Sequence, residues 1–207
     1  MSRRDVEKSN PYAAPLAPSL VETPTHVRWT FCGLQTYWKT PDRYYKVYIT
    51  DQGLYAGWIG GQFYSKRSAR MQLSPLYATI VGALIVEPVA MWIDNRRNRL
   101  EKLYDSLIVE PSHFLQADSR NVFVPRAEIR SVEISTRRSS WMFWTNSGIL
   151  TFQLLNSPSP FTLLVDSTRM LAEIIAELAA GGYPVDLTTV PPSISIPAST
   201  TSSTKTD

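Results

Sequence analysis

The chain has 207 residues, of which 43% are hydrophobic, 11% aromatic and 19% charged, which excludes a wholly disordered or collagen-like polymer and suffices for one folded unit or two small ones. The net charge of +3 is too close to balance to point by itself to nucleic acid. A single cysteine, Cys32, and two distant histidines, His26 and His113, exclude an internal disulfide and support no zinc site; no metal or cofactor is indicated, and a reducing compartment is expected.

In chain order, residues 1–25 carry Arg3 and Arg4 but no apolar run of signal length, which predicts a chain that stays cytoplasmic. Together with residues 184–207 they hold eight of the fifteen prolines, and both segments are expected to be disordered tails, the second a Ser/Thr/Pro spacer. Residues 26–183 are the body. There, Val27, Trp29 and Phe31 alternate with Arg28, Thr30 and Cys32, and Tyr45, Val47 and Ile49 with Tyr44, Lys46 and Tyr48, a period of two that predicts strands. Asp51, Gln52 and Gly53 form a turn into a strand over Leu54–Ile59, and Gly60 and Gly61 lead to a further strand over Gln62–Ser65, completing an antiparallel meander.

The pattern then changes. Ser74 and Pro75 suit a helix start, and Leu76 to Val86 is almost wholly apolar. Beyond Pro88, the residues Val89, Ile93, Leu100, Tyr104 and Leu107 share one helical face, while Asp94, Arg96, Arg97, Asn98, Glu101 and Lys102 cover the rest, Arg97 and Glu101 at ion-pair spacing. A helix kinked or broken at Pro88 and running to about Leu107 is predicted. The sequence LIVEP occurs at residues 84–88 and again at 107–111, but the flanks differ, so this is read as coincidence rather than repeat. Glu101 and Asp105 are read as solvating carboxylates on a charged face.

As a helix, Leu76 to Ile93 would be about 27 Å long, slightly short of a hydrocarbon core of about 30 Å, and Glu87 interrupts it. Lys66, Arg67 and Arg70 precede it and Arg96, Arg97 and Arg99 follow, giving no positive-inside asymmetry. Leu76, Ile80, Leu84, Ile85, Val89 and Trp92 therefore define a helix that packs on the sheet or on a second copy, lies at a membrane interface, or spans a bilayer.

After a short helix over Ser112–Ala117, strands are predicted at Val122–Val124, Ile129–Ser135, Ile149–Leu155 and Phe161–Val165. A final helix is capped by Asp166 or Ser167, carries an apolar stripe of Leu171, Ile174, Ile175 and Leu178, and ends at Gly181 and Gly182. Residues 136–147 form a long loop or edge strand. In it, Arg137 and Arg138 precede Trp141, Met142, Phe143 and Trp144. Either the arginines hold lipid phosphate while the rings sit at the interface, or Trp141 and Phe143 face the core of an edge strand.

Val124-Pro125, Glu128-Ile129, Ser131 and Val132, the strand beginning Gly148-Ile149-Leu150, the Phe161–Val165 strand and the closing amphipathic helix resemble bacterial pleckstrin-homology-like domains. With the Tyr45–Tyr48 hairpin, the Gly60-Gly61 turn and Asn10-Pro11-Tyr12, the chain is similar to a group of bacterial proteins in which such a sheet is split by a helical insertion. The resemblance implies an α+β fold, a bent antiparallel sheet capped by the C-terminal helix, with residues 71–118 inserted between the sheet halves. It implies no catalytic residues, because such domains bind lipids, peptides or proteins.

Cys32, His26 and His113 offer no triad, and Gly57, Gly60 and Gly61 lack the Lys-Ser/Thr of a phosphate loop, so an enzyme is not expected. Residues 26–147 carry sixteen cations and ten acids, yet no helix gathers cations without acids beside them, which speaks for a solvated basic face rather than nucleic-acid binding. The expectation is a non-catalytic binding or scaffolding module, cytoplasmic or at the cytoplasmic membrane face, with lipid headgroups, a protein partner or a second copy meeting the insertion helix. The alternatives are a protein anchored through residues 76–93 and an unrecognised enzyme.

Overall fold

The computed structural model describes residues 25–35, 42–61, 64, 80–135, 148–165 and 167–186, without the side chains of 80–85 and 168. Alternation in the sequence becomes seven strands: β1 (Val27–Gln35), β2 (Arg43–Thr50), β3 (Gly53–Gly60), β4 (Val122–Pro125), β5 (Ile129–Ser135), β6 (Gly148–Leu154) and β7 (Phe161–Val165). They form one antiparallel sheet in the order β4-β3-β2-β1-β7-β6-β5. β1 joins the two halves, pairing along its length with β2 (Phe31 opposite Val47) and with β7 at Leu34 opposite Leu164.

One side chain set from every strand meets in a single core. Phe31, Tyr45, Val47, Ile49, Ala56, Val122, Val132, Phe152 and Leu163 share it with Leu171, Ile174, Ile175 and Leu178 of the C-terminal helix Thr168–Ala180. Central and edge strands can share one core only if the sheet bends around it, and the fold is α+β as expected. Ser167 caps this helix by accepting from the Met170 amide at 3.5 Å, and Gly182 takes the left-handed φ of 68° that ends it. Tyr183 then donates its hydroxyl to the Thr50 carbonyl at 2.8 Å, and Val185 pairs in parallel with Val132 on the outer edge of β5.

The first helix, α1 (Ile80–Leu107), and the short α2 (Pro111–Gln116) lie between β3 and β4; the C-terminal helix is α3. β3 and β4 are themselves paired, Leu54 opposite Val124 and Ala56 opposite Val122. The insertion therefore leaves and re-enters the same half of the sheet, instead of separating the halves. It covers the convex face, where Tyr48, Tyr55, Tyr104, Ile108 and Phe114 form a second apolar cluster. β2 is consequently buried on both faces, Tyr44, Lys46 and Tyr48 under the insertion and Tyr45, Val47 and Ile49 in the main core.

Gly57 is what lets α1 come so near. A Cβ there would lie 2.8 Å from Cγ of the Tyr104 ring, so the missing side chain is the seat of that ring. One expectation is narrowed and one corrected. Of the two alternatives at Pro88, a kink or a break, the break is excluded, because α1 runs through the proline, and Tyr64 lies in a turn, its amide donating to the Gly61 carbonyl at 3.1 Å, not in a strand over 62–65, whose other residues lie outside those described. The expected helix start at Ser74 and Pro75, the loop over 136–147 and both tails up to 24 and from 187 also lie outside the described residues.

Candidate contact surface on the insertion helix

The seam of α1 that meets the sheet is set by helical spacing. Val86, Ile93, Arg97 and Tyr104 are buried, with Leu100 and Glu101 partly so. This corrects the sequence reading at two positions: Val89, assigned to the packed face, is exposed, and Arg97, assigned to the solvated cover, is 4% exposed. Away from this seam, Val89 on its flank and Met91 and Trp92 farther round are exposed by 43%, 58% and 57%, with Leu103 further along. Side chains of this size are ordinarily withdrawn from water, and three within one turn make a patch rather than a scatter.

Beneath the helix lies a polar layer. Arg97 reaches Asp94 at 2.8 Å, Glu101 at 3.4 Å and the Tyr64 carbonyl at 3.4 Å. The Glu101 contact is a charge pairing without hydrogen-bond alignment, so Arg97 Nε and Glu101 Oε1 are buried without a hydrogen-bond partner. Lys46, at the centre of β2, donates to both Asp105 oxygens at 2.7 and 2.8 Å, and Tyr48 donates to Asp105 at 3.0 Å. Burial first, and then the Asp105 carboxylate, raise the Tyr48 phenol far above its ordinary range, so it stays protonated at neutral pH. Glu101 and Asp105 are thus not merely solvating: each faces a buried cation.

Next to this layer, Asn121 accepts from the Trp58 amide at 2.9 Å and from the Tyr104 hydroxyl at 3.0 Å, and donates to the Phe114 carbonyl at 2.6 Å. Arg120 lies over the Trp58 ring with its guanidinium carbon 3.1 Å from the centroid, and binds both oxygens of Asp118. Burial alone would raise the Asp118 carboxyl, but the hydrogen bonds from Arg120 and the charges of Arg120 and Arg43 hold it below its ordinary value. His113 pairs with Glu110, and His26 lies 3.7 Å from Asp51. No group of three or more metal-ligating side chains occurs among the described residues.

The charges of α1 are segregated. Asp94, Glu101 and Asp105 are all engaged with Arg97 or Lys46. Arg96, Arg99 and Lys102 point outward and have no carboxylate partner among the described residues. Arg96 lies over the Trp92 ring at 5.6 Å and over the Tyr64 ring at 5.8 Å. One flank of the exposed apolar patch is therefore cationic.

Of the residues singled out from sequence, Val89 and Trp92 lie in this patch. Ile80, Leu84 and Ile85 belong to the α1 backbone, but their side chains are outside the described set, as is Leu76 entirely. Arg137, Arg138, Trp141, Phe143 and Trp144 all lie outside the described residues. Among the described residues no helix is long and apolar enough to cross a membrane. Lys46, Asp105 and Asn121 were not anticipated; Lys46 alone carried a signal, a single cation flanked by Tyr44 and Tyr48 on the second face of a strand. Comparison with protein-family models, with curated proteins and with solved structures gives no match to this chain.

Proposed function

We propose that the chain is a non-catalytic binding or scaffolding module of pleckstrin-homology-like architecture, peripheral at the cytoplasmic face of a membrane, with the outer face of α1 as its contact element. The strand order, with a C-terminal helix closing the concave core, supports the architecture. The observation that carries the function is the exposure of Val89, Met91 and Trp92 on a helix whose other face is already committed to the sheet. The sequence entering this helix, Leu76 to Val86, is apolar apart from Thr79 and Gly82 and extends the same character. Beyond Pro88 the carboxylates of α1 are engaged by Arg97 and Lys46, and the Tyr48 phenol is held protonated, so these charged groups serve the helix–sheet contact, while Glu87 is exposed.

Fractionation of cells producing the full chain tests this. The protein should sediment with membranes and be released by alkaline carbonate, and Met91→Ser with Trp92→Ser should move it to the supernatant. A wild-type chain found wholly in the supernatant would overturn the reading; a chain that resists carbonate would replace it with an anchor through residues 76–93.

A further inference from the structure

The membrane contact read above leaves open which surface α1 meets, and the distribution of charge on the helix decides it. From Asp94 to Asp105 the helix carries three acids and four cations, which as a sequence is nearly balanced. The fold separates them. Each acid is drawn to a buried cation: Asp94 and Glu101 to Arg97, Asp105 to Lys46, which β2 supplies. What remains facing outward between Asp94 and Asp105 is Arg96, Arg99 and Lys102, all exposed; Glu87, also exposed, lies one turn before Met91, so these outward charges still leave an excess of cations. The burial of Arg97 and Lys46 thus makes the outer face more positive than the sequence suggests.

Position along the helix matters as well. Val89, Trp92, Arg96, Arg99 and Leu103 follow one another at steps of three and four, so they line one stripe, with Met91 and Lys102 beside it. The apolar end comes first and the cations follow within two turns, with Arg96 stacked on Trp92. An indole at the headgroup boundary, aliphatic side chains beneath it and guanidinium groups at the phosphates match an interfacial helix. A second copy fits less well, since a two-fold contact through this stripe would place six outward cations on one shared surface.

We infer that the stripe Val89–Trp92–Arg96–Arg99, with Met91 and Lys102, is a docking surface for bilayers rich in anionic phospholipid, with Arg96, Arg99 and Lys102 binding lipid phosphate and Met91 and Trp92 entering the interface. The inference rests on the membrane-contact reading and adds the lipid class and the residues that select it. Each cation near an anionic surface contributes about fivefold in affinity, so the three together contribute on the order of a hundredfold.

The test is co-sedimentation of the full chain with vesicles of phosphatidylcholine alone and of phosphatidylcholine with roughly one third phosphatidylserine. Expected is binding to the anionic vesicles that weakens as salt rises, falls on the order of a hundredfold in the Arg96→Ala, Arg99→Ala, Lys102→Ala triple variant, and falls also in Met91→Ser with Trp92→Ser. All five side chains are exposed, and circular dichroism melts should show the variants folded. Equal binding to both vesicle types, or a triple variant that binds as wild type does, overturns the lipid-class inference while leaving the membrane contact. Binding to neither vesicle overturns both, and a concentration-dependent dimer lost in the Met91/Trp92 variant would then assign the stripe to a second copy.

Discussion

Lys46 Nζ, in the middle of β2, donates to both carboxylate oxygens of Asp105 on α1, at 2.7 and 2.8 Å, across the helix–sheet interface. The pair is lopsided, with side-chain exposures of 11% for Lys46 and 51% for Asp105. Truncating Asp105 leaves a covered ammonium without its acceptor, whereas truncating Lys46 leaves a carboxylate that water can reach. Asp105→Ala should cost about 1.5–3 kcal/mol, Lys46→Met less, and the double variant less than the sum. Urea unfolding of the four proteins measures the cycle; additive losses would show that the pair contributes no coupling.

Why Lys46 was legible only in part, and Asp105 not at all, follows from what alternation can report. A period of two in Arg43–Thr50 identifies a strand and one apolar face, and that strand is present. That the second face is also covered depends on a helix that begins some thirty residues later, and no local pattern carries that information. The same limit explains Arg97. Its neighbours in sequence are polar, but the seam of α1 is set by the tertiary position of Gly57 and Tyr104, which turns Arg97 inward and Val89 outward. By contrast, the Leu171, Ile174, Ile175, Leu178 stripe and its Ser167 cap were readable because cap, periodicity and terminating glycines are all local and agree. The candidate surface was half legible: Val89 and Trp92 stood in an apolar run, but the separation of Arg96, Arg99 and Lys102 from their acidic neighbours exists only in the folded chain.

Gly57→Ala should be destabilising although alanine favours ordered backbone. The new methyl would lie 2.8 Å from Tyr104 Cγ, and that ring is held by its hydroxyl, whose one proton is shared between the Trp58 carbonyl and Asn121 Oδ1, each at 3.0 Å. Overpacking of this kind costs about 1–3 kcal/mol. A lowered melting temperature is expected, and an unchanged one would mean that α1 does not seat on β3 at this point.

Asn121→Ala should be among the costliest polar substitutions. One side-chain amide serves the Trp58 amide, the Tyr104 hydroxyl and the Phe114 carbonyl, tying β3, α1 and α2 together. Its removal leaves several buried groups unsatisfied at about 1–3 kcal/mol each. Asn121→Asp keeps the acceptor oxygen but buries a carboxylate whose second oxygen would face the Phe114 carbonyl at 2.6 Å, so at neutral pH it should lose at least as much as alanine does. Chemical denaturation of both variants checks the order.

Alkaline pH should unfold the protein through its buried phenols. Burial is the leading cause that pushes Tyr55, Tyr104 and Tyr183 up to about 12 each, and it raises Tyr48 further with the help of Asp105. In the unfolded chain each ionises near 10. The folded state therefore keeps protons that the unfolded state releases, so their contribution to stability is complete below pH 10 and is lost as pH rises through 12. Of the ten tyrosines, these four should ionise only in step with the loss of far-ultraviolet circular dichroism. Tyrosinate absorbance followed alongside that signal separates the outcomes: four phenols titrating near 10 while the fold persists would place their hydroxyls in water and contradict the packing of Tyr48, Tyr55 and Tyr104 around Phe114.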